Sequence, residues 1–175
     1  HQSRDPQTGR RETEPYLQLA LVQVTALVQK EQYAEALECI ERVGDMDGAA
    51  YNDTRGRSLV PFSLRFLHAA VPQYVGKADT AAQRLTSLLA RVEKEQAALA
   101  QLPSDQPGVD ADDVTRLCVD GGAPATRAMT VIELQQRSEH RRRRITRAMA
   151  VLALERGDVE LGLYYLRQLA DSATT

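Results

Sequence analysis

The sequence has no tryptophan, only 5% aromatic residues and two cysteines in 175 residues. Cys39 and Cys118 lack metal-binding or redox spacing, so we interpret them as the reduced thiols of a cytosolic protein. No apolar run approaches the ~20 residues that a membrane-spanning helix needs. The first fifteen residues are polar and show no signal-peptide pattern. The cysteine pattern and the lack of a long apolar run argue against a disulfide scaffold and a membrane-spanning protein.

Glycine and proline cluster in a few stretches and do not recur every ~8–12 residues, which argues against a β-sandwich. Hydrophobic residues make up 43% of the chain, enough for a core, and most of them are Leu, Ala and Val. Ala, Leu, Gln, Glu and Arg, all frequent here, have high helix propensity. A net charge of −2 speaks against nucleic acid and anionic membranes as partners. The composition therefore predicts an all-α protein.

Apolar residues recur at helical spacing in six stretches. We expect a disordered leader over residues 1–15 and a single repeat domain over residues 16–175, with a long, mobile insertion at 102–126. The third helix is predicted to start near Ser58, with Pro61 in its first turn, and to kink at Pro72 or end near Val75. Gly44 and Gly157 suit helix C-termini, and Asp158 suits the N-cap of the last helix. The predicted helices begin near residues 16, 33, 58, 78, 127 and 158.

One 3-4-3 spacing occurs three times, each time directly after a tight turn at residues 31–32, 76–77 or 157–158. In a tetratricopeptide hairpin, a small residue at such a position lets two helices approach closely. The small residues lie 45 and 81 residues apart, whereas an uninterrupted array repeats every ~34. We therefore predict tetratricopeptide-like hairpins stacked as a short, interrupted α-solenoid. An irregular helical bundle remains the alternative. The three sets are Tyr33, Ala36, Ile40, Val43; Ala78, Ala81, Leu85, Leu88; and Val159, Gly162, Leu166, Leu169.

A basic run dominates the charge pattern, with six arginines against one glutamate between Arg137 and Arg147. Four consecutive arginines at 141–144 point around most of a helix, so they cannot all serve one interface. This run is either a solvated surface balanced by acidic neighbours, such as the aspartates of 105–120, or a patch for an acidic protein partner. A nucleic-acid or nuclear-import role is the third alternative.

No pattern indicates catalysis, a cofactor or a metal. The aspartates at 110, 112 and 113 lack the glycine and the distant glutamate of a calcium loop, and residues 45–48 are interpreted as a turn. Gly56 begins a stretch that lacks the second glycine of a nucleophile elbow, and His68 is interpreted as a packed or rim histidine. We therefore expect no catalytic residues, no metal ligands and no cofactor.

Residues 57–70 (RSLVPFSLRFLHAA), 73–77 (QYVGK) and 82–85 (AQRL) are more distinctive than a generic helix. They resemble the tetratricopeptide region of subunit 12 of the TRAPP (transport protein particle) complex, a vesicle tether that activates a Rab GTPase. Residues 32–37, 51–57 and 143–169 are similar to the flanking parts of that family. The likeness covers residues 16–170, with 102–126 unmatched. It implies that this sequence is the N-terminal part of a longer array. The last hairpin of this sequence would then expose an apolar face that a following repeat normally covers.

The resemblance implies a non-catalytic scaffold in traffic between the endoplasmic reticulum and the Golgi. Such a protein would be cytoplasmic, with other TRAPP subunits as partners, only indirect membrane contact and no obligate homo-oligomerisation. The alternative is a tetratricopeptide adaptor that binds acidic peptide tails, as chaperone cofactors do. The repeat frame places the first helix of each hairpin on the concave face, and aromatic and arginine side chains contribute most to interfaces. We therefore predict the following protein-interaction residues on that face: Phe66, Gln73, Tyr74, Arg144 and Arg147.

Overall fold

A computed structural model of the protein describes residues 6–52, 58–102 and 130–172. These residues form six α-helices, without a β-strand in any of the three ranges. The helices are α1 (Pro6–Gln29), α2 (Tyr33–Val43), α3 (Phe62–Ala70), α4 (Ala78–Ala100), α5 (Val131–Glu155) and α6 (Val159–Asp171). A 3₁₀ turn occupies Ala49–Tyr51, and a 3₁₀ segment, Val71–Val75, extends α3. The all-α prediction is confirmed for the described ranges.

Two helix starts differ from the prediction. Helix α1 begins at Pro6, ten residues before the expected start at Tyr16. Proline suits the first helical position because its missing N–H has no partner there anyway. Helix α3 begins at Phe62 and not near Ser58, since Pro61 is extended (φ −57°, ψ 141°) and acts as the N-cap residue. A residue before proline is also pushed out of the helical region.

Other boundaries follow the sequence signals. Helix α3 gives way to 3₁₀ geometry at Val71–Val75, which carries Pro72, and Gly76 ends it in the left-handed conformation. Asp158 caps α6 by accepting a hydrogen bond from the backbone N–H of Leu161. Thr130 and Glu133 form a capping box at the start of α5. The expected start of that helix at Arg127, the insertion 102–126 beyond Leu102 and the aspartates at 110–113 lie outside the described residues.

The three tight turns share one geometry. Glu31, Gly76 and Gly157 all have positive φ, and the backbone N–H of the next residue bonds to the carbonyl five residues earlier at 2.9 Å each time. This is the Schellman arrangement, which satisfies carbonyls at a helix C-terminus. The following helix starts one residue later in every case. Each turn therefore reverses the chain in the same way and produces a helical hairpin.

A small residue occupies the same place in each hairpin, four residues after the N-cap position. Ala36 and Ala81 have no exposed surface, and Gly162 is buried. A Cβ on Gly162 would lie 2.6 Å from Cδ2 of Leu154 on the facing helix. The Leu154 side chain thus occupies the space that a larger residue at position 162 would need.

The three hairpins pack in chain order. Helix α2 packs on α3 and its 3₁₀ extension, and α4 packs on α5. One core joins α1, α2 and α3 around Leu17, Ile40 and Leu64, and a second joins α3, α4 and α5 around Leu85 and Ile145. Helix α3 contributes to both cores, so the middle hairpin holds the outer two together.

Candidate functional site

Two arginines of α5 stack on two aromatic rings of α3. The guanidinium carbon of Arg144 lies 4.2 Å from the ring centroid of Phe66, and that of Arg141 lies 5.0 Å from the centroid of Phe62. The two rings are themselves stacked, with centroids 6.3 Å apart. The two phenylalanines are four residues apart on α3, and the two arginines are three residues apart on α5. Each pair therefore lies on one face of its helix, and the two faces are in contact. We call these four residues the Phe–Arg ladder.

The ladder has a buried end and an exposed end. The side chain of Arg141 is only 9% exposed and forms a 3.5 Å ion pair with Glu95 of α4. Arg144 is exposed, and the Phe66 ring beneath it is half-buried. Cation–π contacts contribute about 0.5–2 kcal/mol, more when the cation is desolvated. Arg141 therefore fixes α5 to its neighbours, whereas Arg144 lies at the exposed end of the ladder.

The rest of the basic run divides in the same way. Arg142 donates two hydrogen bonds to Glu139, at 2.8 and 2.9 Å, and these bonds hold the pKa of the Glu139 carboxyl below its usual value. Arg143 and Arg147 are exposed. Arg147 lies one turn beyond Arg144, on the same side of α5. The run is thus partly a packed, ion-paired surface and partly an exposed cationic one.

The five predicted interaction residues fall in two places. Phe66, Arg144 and Arg147 belong to the ladder or lie next to its exposed end. Tyr74 lies two turns beyond Phe66, in the 3₁₀ segment, where its ring stacks on Tyr33 of α2 with centroids 4.5 Å apart. Gln73 is half-buried, and its side-chain oxygen has no hydrogen-bond partner among the described residues. Tyr74 and Gln73 therefore lie at the junction of the first and second hairpins.

A second polar cluster surrounds Asp47, which the sequence assigned only to a turn. The turn is present, since the backbone N–H of Asp47 bonds to the Asp45 carboxylate at 2.9 Å. One oxygen of Asp47 also accepts hydrogen bonds from Arg65 on α3 and Arg91 on α4. Those bonds hold the pKa of Asp47 low against the opposing effect of burial. The partners lie 18 and 44 residues away in the chain, so no local pattern could have indicated the cluster.

Arg65 is the most heavily bonded member of that cluster. Its side chain is 11% exposed and also donates to the Met46 carbonyl at 2.7 Å and the Ser58 hydroxyl at 2.8 Å. It joins both ends of the connection between α2 and α3 to the body of α3.

His68 lies beside this cluster and is half-buried, in agreement with a packed or rim histidine. Burial, together with the nearby charges of Arg84 and Arg65, lowers its pKa to about 4, although Glu41 and Asp47 act in the opposite direction. The imidazole is therefore neutral at physiological pH.

The last hairpin exposes an apolar position that the first two hairpins bury. Ile40 and Leu85 have no exposed surface, but Leu166, at the equivalent position of α6, is 42% exposed. Val159, Leu161, Leu163 and Tyr164 of the same helix are exposed as well. Gly162 is the only fully buried residue of α6. The apolar face expected on the last hairpin is thus present.

Within the described ranges, no group of three His, Cys, Asp or Glu residues could hold a metal ion, and none of the helices is long and apolar enough to cross a membrane. No family model matches the chain, and neither a curated protein nor a solved structure is significantly similar to it. The class that the structure defines is all-helical: the residues it describes form six α-helices packed against one another.

Proposed function

We propose that the protein is a non-catalytic interaction scaffold, a short α-solenoid of tetratricopeptide type. The repeated hairpin geometry supports this proposal. Three turns with the same hydrogen bonds each precede a helix whose fourth residue beyond the N-cap is small and buried. A solenoid needs such units because each hairpin buries its apolar face only against a neighbour.

The particular assembly that we propose is the TRAPP tether, with this chain as a scaffold subunit in traffic between the endoplasmic reticulum and the Golgi. The sequence likeness of residues 57–85 to subunit 12 of that complex supports the assignment. This stretch supplies α3, its 3₁₀ extension and the first turns of α4, which take part in both cores. Its partners would be other TRAPP subunits in the cytoplasm, with only indirect membrane contact.

The exposed end of the Phe–Arg ladder is the observation that best supports a binding role. Arginine and aromatic side chains contribute most to protein interfaces, and an arginine already stacked on a ring needs little ordering when a partner binds. Arg144 is held in this way over Phe66 at 4.2 Å, and Arg147 extends the charge by one turn. A partner with acidic or aromatic groups would complement this surface.

Charge reversal at these two positions tests the proposal. We expect the double variant Arg144→Glu/Arg147→Glu to lose capture of TRAPP subunits from cell extract, identified by mass spectrometry, while helix content is retained. Loss of two anchors of ~2 kcal/mol each, about 4 kcal/mol together, corresponds to a weakening of about a thousandfold.

The matched control is Arg42→Glu/Arg167→Glu, which changes net charge equally at two exposed arginines of α2 and α6. This control should still capture the partners. Undiminished capture by the Arg144→Glu/Arg147→Glu variant would refute the role of the ladder, and failure of the unmodified protein to capture any TRAPP subunit would refute the assignment to this complex.

A further inference from the structure

A cavity of about 440 Å³ lies between α3, α4 and the connection that follows α2. None of its lining residues belongs to the Phe–Arg ladder. Three arginines and neutral His68 line it, together with the carboxylates of Asp45 and Asp47 and the polar side chains of Gln83 and Ser87. The arginines are Arg65, Arg84 and Arg91.

Helix α4 supplies the accessible polar wall of this cavity. Arg84, Ser87 and Arg91 are spaced by three and four residues, so they share one face of the helix. Arg84 donates a 3.1 Å hydrogen bond to the backbone carbonyl of His68. A guanidinium has five N–H donors, so one such bond leaves several free to bind a further acceptor.

Asp47 shows that the arginines of this cavity bind a carboxylate. Its carboxylate bridges Arg65 and Arg91 at the cavity, although the Asp47 side chain is 68% exposed. Arg91 is itself 47% exposed, and ion pairs between exposed groups are weak because water screens them. A second carboxylate can therefore replace Asp47 at Arg91 at little cost. Arg65 keeps its bonds to the Met46 carbonyl and the Ser58 hydroxyl when this happens.

We propose that this cavity is a second recognition site, which binds an aspartate or glutamate side chain of an acidic partner segment between Arg84 and Arg91. The Gln83 side-chain amide lies on the same wall and can donate a further hydrogen bond to the carboxylate, whereas the Ser87 hydroxyl already donates to the Gln83 backbone carbonyl at 3.0 Å. Asp47 occupies part of the site in the free protein and competes with the incoming group. The proposal rests on the proposed role as a protein-binding scaffold and adds the partner's chemistry.

A short fluorescein-labelled poly-aspartate peptide, titrated with the whole chain and followed by fluorescence anisotropy, tests the site. The double variant Arg84→Gln/Arg91→Gln should bind at least about tenfold more weakly, because hydrogen bonds between charged groups are the strong ones. Asp47→Asn should bind about three- to fivefold more tightly, because the internal competitor loses its charge. Opposite signs for the two variants cannot arise from a shared folding defect.

Two exposed arginines outside both proposed sites provide the matched control. The variant Arg42→Gln/Arg167→Gln removes the same charge from α2 and α6 and should change the affinity less than threefold. Loss of binding in this control alone would overturn the proposal, because the peptide site would then lie outside the cavity. No binding by the unmodified chain, or equal binding by all variants, would also overturn it, and neither result bears on capture through Arg144 and Arg147. If inorganic phosphate binds at Arg84 and Arg91 but the peptide does not, the site is not one for an acidic protein segment.

Discussion

Replacing Leu85 by alanine removes a side chain with no exposed surface from the core shared by α3, α4 and α5. Fully buried Leu→Ala changes cost about 2–5 kcal/mol, because a cavity is left in addition to the lost burial. Leu166 holds the equivalent position in the last hairpin but is 42% exposed. The same change there removes the equivalent of three methylene groups, worth about 0.8 kcal/mol each when fully buried. Just over half of the Leu166 side chain is buried, and water can fill the space that the change leaves. We therefore expect Leu166→Ala to lower the free energy of unfolding by about 1.4 kcal/mol.

The difference between the two variants is the quantity to measure. Taking about 3.5 kcal/mol for Leu85→Ala, the free energies of unfolding should differ by about 2 kcal/mol, or about 4–8 °C in Tm for a domain of this size. Urea denaturation followed by far-UV circular dichroism gives the values directly. The measurement should be repeated over a range of protein concentrations, because self-association would bury Leu166 and stabilise the folded state.

Equal losses for the two variants at low concentration would refute the reasoning. They would mean that Leu166 is covered in solution and that the last hairpin does not end in an open apolar face. A loss below about 1 kcal/mol for Leu85→Ala would contradict the position of the second core.

Two further predictions concern single residues. Because the pKa of folded His68 lies at about 4, below the unfolded value of 6.5, the unfolded state binds a proton first as the pH falls. The associated stability is present above pH ~6.5 and is lost toward pH ~4. Allowing for solvent screening of this partly exposed group, we expect about 1–2 kcal/mol. Between these two pH values, the free energy of unfolding of the His68→Gln variant should fall by about 1–2 kcal/mol less than that of the unmodified protein. An identical fall in both proteins would contradict the lowered pKa of His68. Gly162→Ala should change stability by less than about 1 kcal/mol in urea denaturation, because the helix propensity of alanine offsets the displacement of the flexible, exposed Leu154 side chain. A loss above about 2 kcal/mol would show that Leu154 cannot move.

The local features of the fold could be predicted from the sequence. The tight turns at residues 31–32, 76–77 and 157–158 follow from residues adjacent in the chain, and the structure places all three there. The predicted boundaries do not include the capping box of Thr130 and Glu133, although its Thr-x-x-Glu spacing is a known signal. The tetratricopeptide solenoid stays a prediction, because six packed helices are compatible with it without requiring it.

The candidate sites were only partly accessible to sequence reasoning. Phe66 and Arg144 were selected separately as interface anchors, and the structure stacks one on the other. Arg141 and Arg144 cannot be distinguished in a run of four arginines, because their different burial depends on where α5 meets α3 and α4. The bridge from Asp47 to Arg65 and Arg91 depends on how two hairpins pack together, which composition and periodicity do not specify.

Arg65 has a mechanical consequence for the junction between the first two hairpins. One guanidinium binds the Met46 carbonyl, Asp47 and the Ser58 hydroxyl, and so ties both ends of the connection between the first two hairpins to α3. The Tyr51 hydroxyl adds a bond to the Val43 carbonyl at the end of α2. A joint held at several points resists bending, so we expect the first two hairpins to keep one relative orientation. A stiff junction of this kind loses little configurational entropy on association.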